Sequence, residues 1–172
     1  MDFKDCRSMK VVLVAHCALN QNSRLARCAE LPAGVEELVA GLLKRGIGII
    51  QMPCPELMVI ALDREHVQIR SALESRPARA ALRKLAGDLV YQVKEYEACG
   101  VKVLGILGKD GSPACGVGHT WRHEPGPGMG AFIEELAAEV RDQGLKTEIS
   151  GMTDSDPQAA LEIVDRWDGG GA

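Results

Sequence analysis

The chain has 172 residues, 46% of them hydrophobic and only 3% aromatic, with a formal net charge of −4. That length can bury an aliphatic core within one domain, expected over residues 10–167 with flexible termini at 1–9 and 168–172. The absence of a Lys/Arg block and the scarcity of aromatics exclude nucleic-acid polymers, which need clustered cations and stacking platforms. No apolar stretch approaches the length of a membrane span, and the start MDFKDC lacks the apolar segment of a signal peptide, so a cytoplasmic protein is expected. The sequence does not fix the oligomeric state.

The first strand is expected at Val11-Val12-Leu13-Val14-Ala15-His16 and ends on Cys17. The stretch His16-Cys17-Ala18-Leu19-Asn20-Gln21-Asn22-Ser23-Arg24 reads as a polar loop of residues that hydrogen-bond locally. Such a loop suits either ligand binding or a helix-capping turn. Val35, Leu38, Val39, Leu42 and Leu43 recur at helical spacing, with Glu36 and Glu37 in the first turn and Gly46 as the stop. This crossover helix feeds a second strand near 47–52, which runs into Pro53-Cys54-Pro55-Glu56. Prolines on both sides of a cysteine forbid ladder pairing and make a rigid turn that presents Cys54 and Glu56.

Residues 57–76 mix apolar and charged side chains and read at most as a short helix covering the crevice. Leu82, Leu85, Leu89, Val93 and Tyr96 then predict a helix up to Gly100, with Cys99 at its end. The apolar run 101–107 is the third strand, followed by the loop Gly111-Ser112-Pro113-Ala114-Cys115-Gly116. The segment 119–130, with its glycines and Pro127, is expected to be irregular. Phe132, Ile133, Leu136, Ala137 and Val140 predict a helix; 146–150 reads as a fourth strand; and Asp156-Pro157 opens a last helix through Val164 before a frayed tail at 169–171. Alternating strands and helices predict an α/β fold, a Rossmann-like three-layer sandwich with a mostly parallel sheet of four or five strands.

In such a sheet ligands bind outside the carboxyl ends of the strands. Cys17, Cys54 and Cys115 each follow a strand, so three thiols can meet there. The other cysteines, Cys6, Cys28 and Cys99, read as incidental or as small buried hydrophobes. Without an oxidising compartment six cysteines favour metal, cluster or redox use over disulfides, and thiolates select zinc, copper(I) or iron-sulfur clusters. Three cysteines on a cubane leave one iron open to substrate, where a four-cysteine set would saturate it. Glu56 could then handle a proton and Ser112 could hydrogen-bond the substrate or an attacking water.

Cys17 within HCALNQNS, the Pro53-Cys54-Pro55-Glu56 turn and the Gly111–Gly116 loop together resemble the family of 2-thiouracil desulfidases and their relatives, from about residue 10 to about residue 145. The resemblance implies a Rossmann-like fold with a [4Fe-4S] cluster on Cys17, Cys54 and Cys115 and one open iron. It also implies conversion of C=S to C=O in a small thiolated compound such as a thiopyrimidine, with release of hydrogen sulfide, Glu56 and Ser112 being the catalytic candidates. Asn20, Asn22, Arg64 and Lys109 are weaker candidates for substrate contacts. Better-known members carry CLLG and RYDG segments after the first cysteine and GGL…PR after CPE, where this chain has CALNQNSR and LMVIALDR. It therefore resembles a divergent HCxLN-type branch. Two other readings use the same thiols: a non-catalytic iron-sulfur or redox sensor with a fourth ligand such as His16 or His119, and a zinc hydrolase with Glu56 as base.

Overall fold

The structure, a computed structural model, describes residues 3–169. Its elements are β1 (Lys10–Val14), α1 (His16–Leu19), a 3-10 turn (Gln21–Ser23), α2 (Glu36–Lys44), β2 (Gly48–Gln51), α3 (Pro55–Val59), α4 (Ile69–Glu74) and α5 (Arg76–Ala98). There follow β3 (Lys102–Lys109), β4 (His119–Trp121), β5 (Pro125–Pro127), α6 (Ala131–Asp142), β6 (Ile149–Met152) and α7 (Pro157–Gly169).

Four strands form a parallel sheet in the order β2-β1-β3-β6. Side chains of β1 alternate between its faces: Leu13 packs with Leu82, Leu89, Phe132 and Leu136 from α5 and α6. Val12 and Val14 pack with Leu38, Leu42, Leu161 and Val164 from α2 and α7. Period-two burial on both faces is what a parallel sheet covered on both sides requires, and it makes the Rossmann-like three-layer sandwich expected from the sequence. Between β1 and β3 the register slips, since Val11 pairs with Val103 but Leu13 with Ile106. Leu104 and Gly105 therefore stand opposite Val12 alone, a bulge that places Gly105 under the Trp167 ring, where a Cβ would lie 2.6 Å from ring carbons.

The chain leaves β1 through α2 on one face and returns from β2 to β3 through α5 on the other. The switch point of the fold thus lies between the carboxyl ends of β1 and β3, where ligands bind in open α/β sheets.

Several local expectations need correction. Segment 119–130 is not wholly irregular, because β4 and β5 pair as a short antiparallel ribbon, His119 opposite Pro127 and Trp121 opposite Pro125. Prolines fit there because a two-stranded ribbon has outer edges that need no donor. The stretch after Cys17 is one turn of α-helix and a 3-10 turn rather than a loop, and the fourth strand lies at Ile149–Met152 instead of 146–150. Residues 57–76 carry the end of α3 and all of α4, anchored by Arg70, which donates to Glu74, to Glu134 and to the Met129 carbonyl at 2.9 Å. Asp156 does cap the last helix, accepting from the Ala159 amide at 3.0 Å, and that helix reaches Gly169. The rest of the expected tail lies outside the described residues.

Candidate functional site

Three chain segments supply the cysteines. Cys17 sits in α1, whose first residue follows β1 by a single alanine. Cys54 is the N-cap of α3: its sulfur accepts from the Leu57 amide at 3.5 Å, and Pro55 occupies the first turn. Cys115 ends the loop after β3, which the fold holds from every side. Its carbonyl accepts from the Lys109 amide at 2.8 Å, and the Pro113 and Ala114 carbonyls accept from the Ala131 and Phe132 amides of α6 at 2.9 and 3.0 Å. A Cβ at Gly130 would collide with the Ala114 carbonyl, so only glycine lets α6 dock this closely on the Cys115 loop.

The same loop binds itself to acids. Asp110 Oδ1 accepts from the amides of Val117, Gly118 and His119 at 2.8, 3.0 and 3.3 Å. Ser112 Oγ accepts from the Ala114 and Cys115 amides at 3.1 and 2.9 Å and lies 3.3 Å from Glu56 Oε1. A hydroxyl has two acceptor lone pairs and one proton. Both lone pairs are used on backbone amides, so Ser112 acts toward Glu56 as a donor only.

Glu56 is 8% exposed, and its second oxygen, Oε2, takes the Arg64 Nε proton at 3.0 Å. Arg64, 3% exposed, also donates to the carbonyls of Ala61, Leu62 and Ser23. Its guanidinium therefore ties the turn after β1 to the segment after β2 and fixes the carboxylate between them.

All three thiols, with Glu56, Ser112, Arg64, Lys109 and His16, line one cavity of about 430 Å³ at the switch point. That size suits one small molecule and not a polymer. Burial pushes the Cys17 thiol up, partly opposed by Arg24 and Lys109, and also pushes Cys54 up against the lowering effect of the Leu57 amide. Burial, with Cys17 and Cys54 beside it, pushes Cys115 well above the ordinary thiol value. Among the described residues no three His, Cys, Asp or Glu side chains stand close enough together to hold a single metal ion.

The expected minor contacts divide. Lys109 lines the cavity but is paired with Asp154 at 3.2 Å, and Arg64 serves Glu56. Asn20 and Asn22 do not line it: the Asn20 side chain caps the 3-10 turn, accepting from the Asn22 amide at 3.1 Å and its side-chain nitrogen at 3.0 Å. Nor does His119, whereas His16, which lies 2.7 Å from Gln51 Nε2 and whose pKa burial lowers, does. Cys28, read as a buried hydrophobe, is exposed and lines the cavity mouth; Cys6 is exposed too.

Sequence reasoning missed a polar group behind Cys17. Gln21, 1% exposed, donates to the Cys17 carbonyl at 3.0 Å and to Asp154 at 2.9 Å, and accepts from the Glu30 amide at 3.1 Å. Asp154 lies 2.5 Å from Arg24. A signal exists, since Asp154 follows β6 at its carboxyl end, but a strand expected at 146–150 hides it.

No protein-family model matches the sequence. The uncharacterized protein MJ0003 of Methanocaldococcus jannaschii is 30% identical over 111 residues, which cover 64% of this chain and 70% of that protein. The chain belongs to the family of MJ0003. A solved structure, a [4Fe-4S]-dependent thiouracil desulfidase, TudS, superposes with a TM-score of 0.51 at 18% identity, covering 90% of this chain and 97% of the other. At that identity the likeness shows that this member of the MJ0003 family has the TudS-like fold.

Proposed function

We propose that this chain is a desulfidase of a divergent HCxLN-type branch, holding a [4Fe-4S] cluster on Cys17, Cys54 and Cys115. The reaction exchanges sulfur for oxygen in a small thiolated compound: thiocarbonyl plus water gives carbonyl plus hydrogen sulfide. One observation carries this reading: three thiols from three strand ends and a buried Glu56–Ser112 pair line the same cavity. The donor set fits the group. Three soft thiols, Cys115 buried and Cys17 and Cys54 half-buried, line one cavity, and such thiolates would hold an iron-sulfur cluster. When bound, the cluster supplies a thiophilic Lewis acid, one iron having no protein ligand.

The chain's own residues supply the rest. Arg64 holds one oxygen of Glu56, and Ser112 donates toward the other, so the carboxylate is oriented as an acceptor at the cavity wall. From there Glu56 takes a proton from the attacking water and returns one to the departing sulfur. The buried wall limits the water that can compete for Glu56. The likeness to TudS in fold and the residues of the resemblance support this reading. No helix among the described residues is long and apolar enough to cross a membrane, and a cytoplasmic role in sulfur metabolism is part of the proposal.

The test is anaerobic. Protein reconstituted with iron and sulfide, freed of excess reagent and given 2-thiouracil or a related thiopyrimidine, is expected to release sulfide in proportion to the carbonyl product. Cluster-loaded protein that releases none from any of these compounds contradicts the proposal.

A further inference from the structure

The three thiols follow β1, β2 and β3, whereas the fourth strand of the sheet, β6, brings an acid. Asp154 stands two residues past β6, and its side chain is fully buried. Two cations meet it there: Arg24, which follows the 3-10 turn, at 2.5 Å, and Lys109, the last residue of β3, at 3.2 Å. Both line the cavity, with side chains 11% and 10% exposed. One buried carboxylate thus carries two buried cations, a surplus that is costly unless a further anion answers it. Glu30, 3.5 Å from Arg24, is 53% exposed and answers weakly. The other acids of the cavity are committed, Glu56 to Arg64 and Ser112, and Asp110 to three backbone amides. The group is also short of hydrogen bonds: Arg24 Nε, Arg24 Nη2 and Asp154 Oδ1 are buried with no hydrogen-bond partner among the described residues.

This group is tied to the cysteines. Gln21 bridges Asp154 and the Cys17 carbonyl at 2.9 and 3.0 Å, and the Lys109 amide donates to the Cys115 carbonyl at 2.8 Å. Arg24, Lys109 and Asp154 are all near enough to Cys17 for their charges to act on its sulfur. A doubly positive cubane core bearing three thiolates has one net negative charge, equal and opposite to the surplus. Resting on the cluster of the proposed function, we infer that Asp154 is a positioning residue, which seats Arg24 and Lys109 as the counter-ion of the oxidised cluster. Asp154 does not itself line the cavity and acts through the two cations. The loaded cavity is then electrically balanced in the oxidised state, in which iron is the stronger Lewis acid. An electron added to the cluster would have no matching cation.

The test is the one-electron reduction potential of the reconstituted protein, followed by electron paramagnetic resonance at fixed pH and salt, which needs no turnover. Removing a cation is expected to make the cluster harder to reduce. Arg24→Gln and Lys109→Met should each lower the ratio of reduced to oxidised cluster at a fixed solution potential by about tenfold, which is about 59 mV for one electron. Asp154→Asn keeps the side chain's shape and leaves both cations unanswered, so it is expected to shift the potential by a similar amount in the opposite direction. The double variant Asp154→Asn/Arg24→Gln should return toward the parent value. Arg45→Gln, at an exposed pair with Asp165, is expected to leave the potential where it was. Loosened packing alone would not order the variants by the sign of the charge removed. Arg24→Gln and Lys109→Met carry the test by themselves should Asp154→Asn fail to fold. Equal potentials in the parent and both cation variants, or shifts of one sign in all three single variants, overturn the inference. A parent chain that takes up no cluster overturns it together with the cluster reading. Sulfide release with unshifted potentials contradicts this inference alone, and charge-ordered potentials in a protein that releases no sulfide contradict the desulfidase reading alone.

Discussion

Glu56→Gln is expected to keep its iron and sulfide content while turnover falls by about a hundredfold to ten-thousandfold, the range for losing a positioned acid–base group. The substitution changes almost no volume. Its effect follows from the hydrogen-bond count around the carboxylate. Arg64 and Ser112 both present donors to Glu56, and Ser112 cannot reverse because its lone pairs are taken by two amides. An amide offers one acceptor and two donors, so in either orientation it faces one of these partners donor to donor. The variant therefore loses the proton-accepting group and carries a local mismatch of roughly 1–3 kcal/mol as well. Sulfide release and iron content measured on the same sample separate the two effects. Retained turnover at full cluster content would remove Glu56 from the reaction.

Arg64→Met is the substitution expected to cost most stability, about 3–5 kcal/mol, because it strips one partner from a buried ion pair and leaves the other charged. Arg64 is 3% exposed and makes four hydrogen bonds, to Glu56 and to three carbonyls drawn from two segments. Urea unfolding measures the loss. The double variant Arg64→Met/Glu56→Gln should be less destabilised than the sum of the singles, since the unpaired buried carboxylate is then gone. Arg45–Asp165 provides the contrast: with side chains 30% and 51% exposed, its removal is expected to cost no more than about 1 kcal/mol. A loss for Arg64→Met no larger than that would mean that water reaches Glu56 freely.

The sheet and its covering helices were readable because burial on both faces leaves short, nearly continuous apolar runs such as Val11-Val12-Leu13-Val14, and because the helices carry aliphatic stripes at helical spacing. That the three thiols and Glu56 share one cavity was readable because prolines and glycines fix the chain where β2 and β3 end. What was illegible depends on contacts distant in sequence. Gln21 looks like any loop glutamine, yet it spans from Cys17 to Asp154, 133 residues later. Nothing local to Arg64 shows that its guanidinium turns inward to Glu56 and to the Ser23 carbonyl. The β4–β5 ribbon hid behind prolines and glycines that normally signal a break, and Asn20 and Asn22 proved to satisfy each other.

The most direct measurement is the iron and acid-labile sulfide content, with the anaerobic absorbance spectrum, of six single Cys→Ser variants reconstituted side by side. The account predicts that Cys17→Ser, Cys54→Ser and Cys115→Ser lose most of the cluster, while Cys6→Ser, Cys28→Ser and Cys99→Ser hold it like the parent chain. Full cluster content in any of the first three, or its loss in Cys28→Ser, whose thiol stands at the mouth of the same cavity, would contradict the three-cysteine assignment.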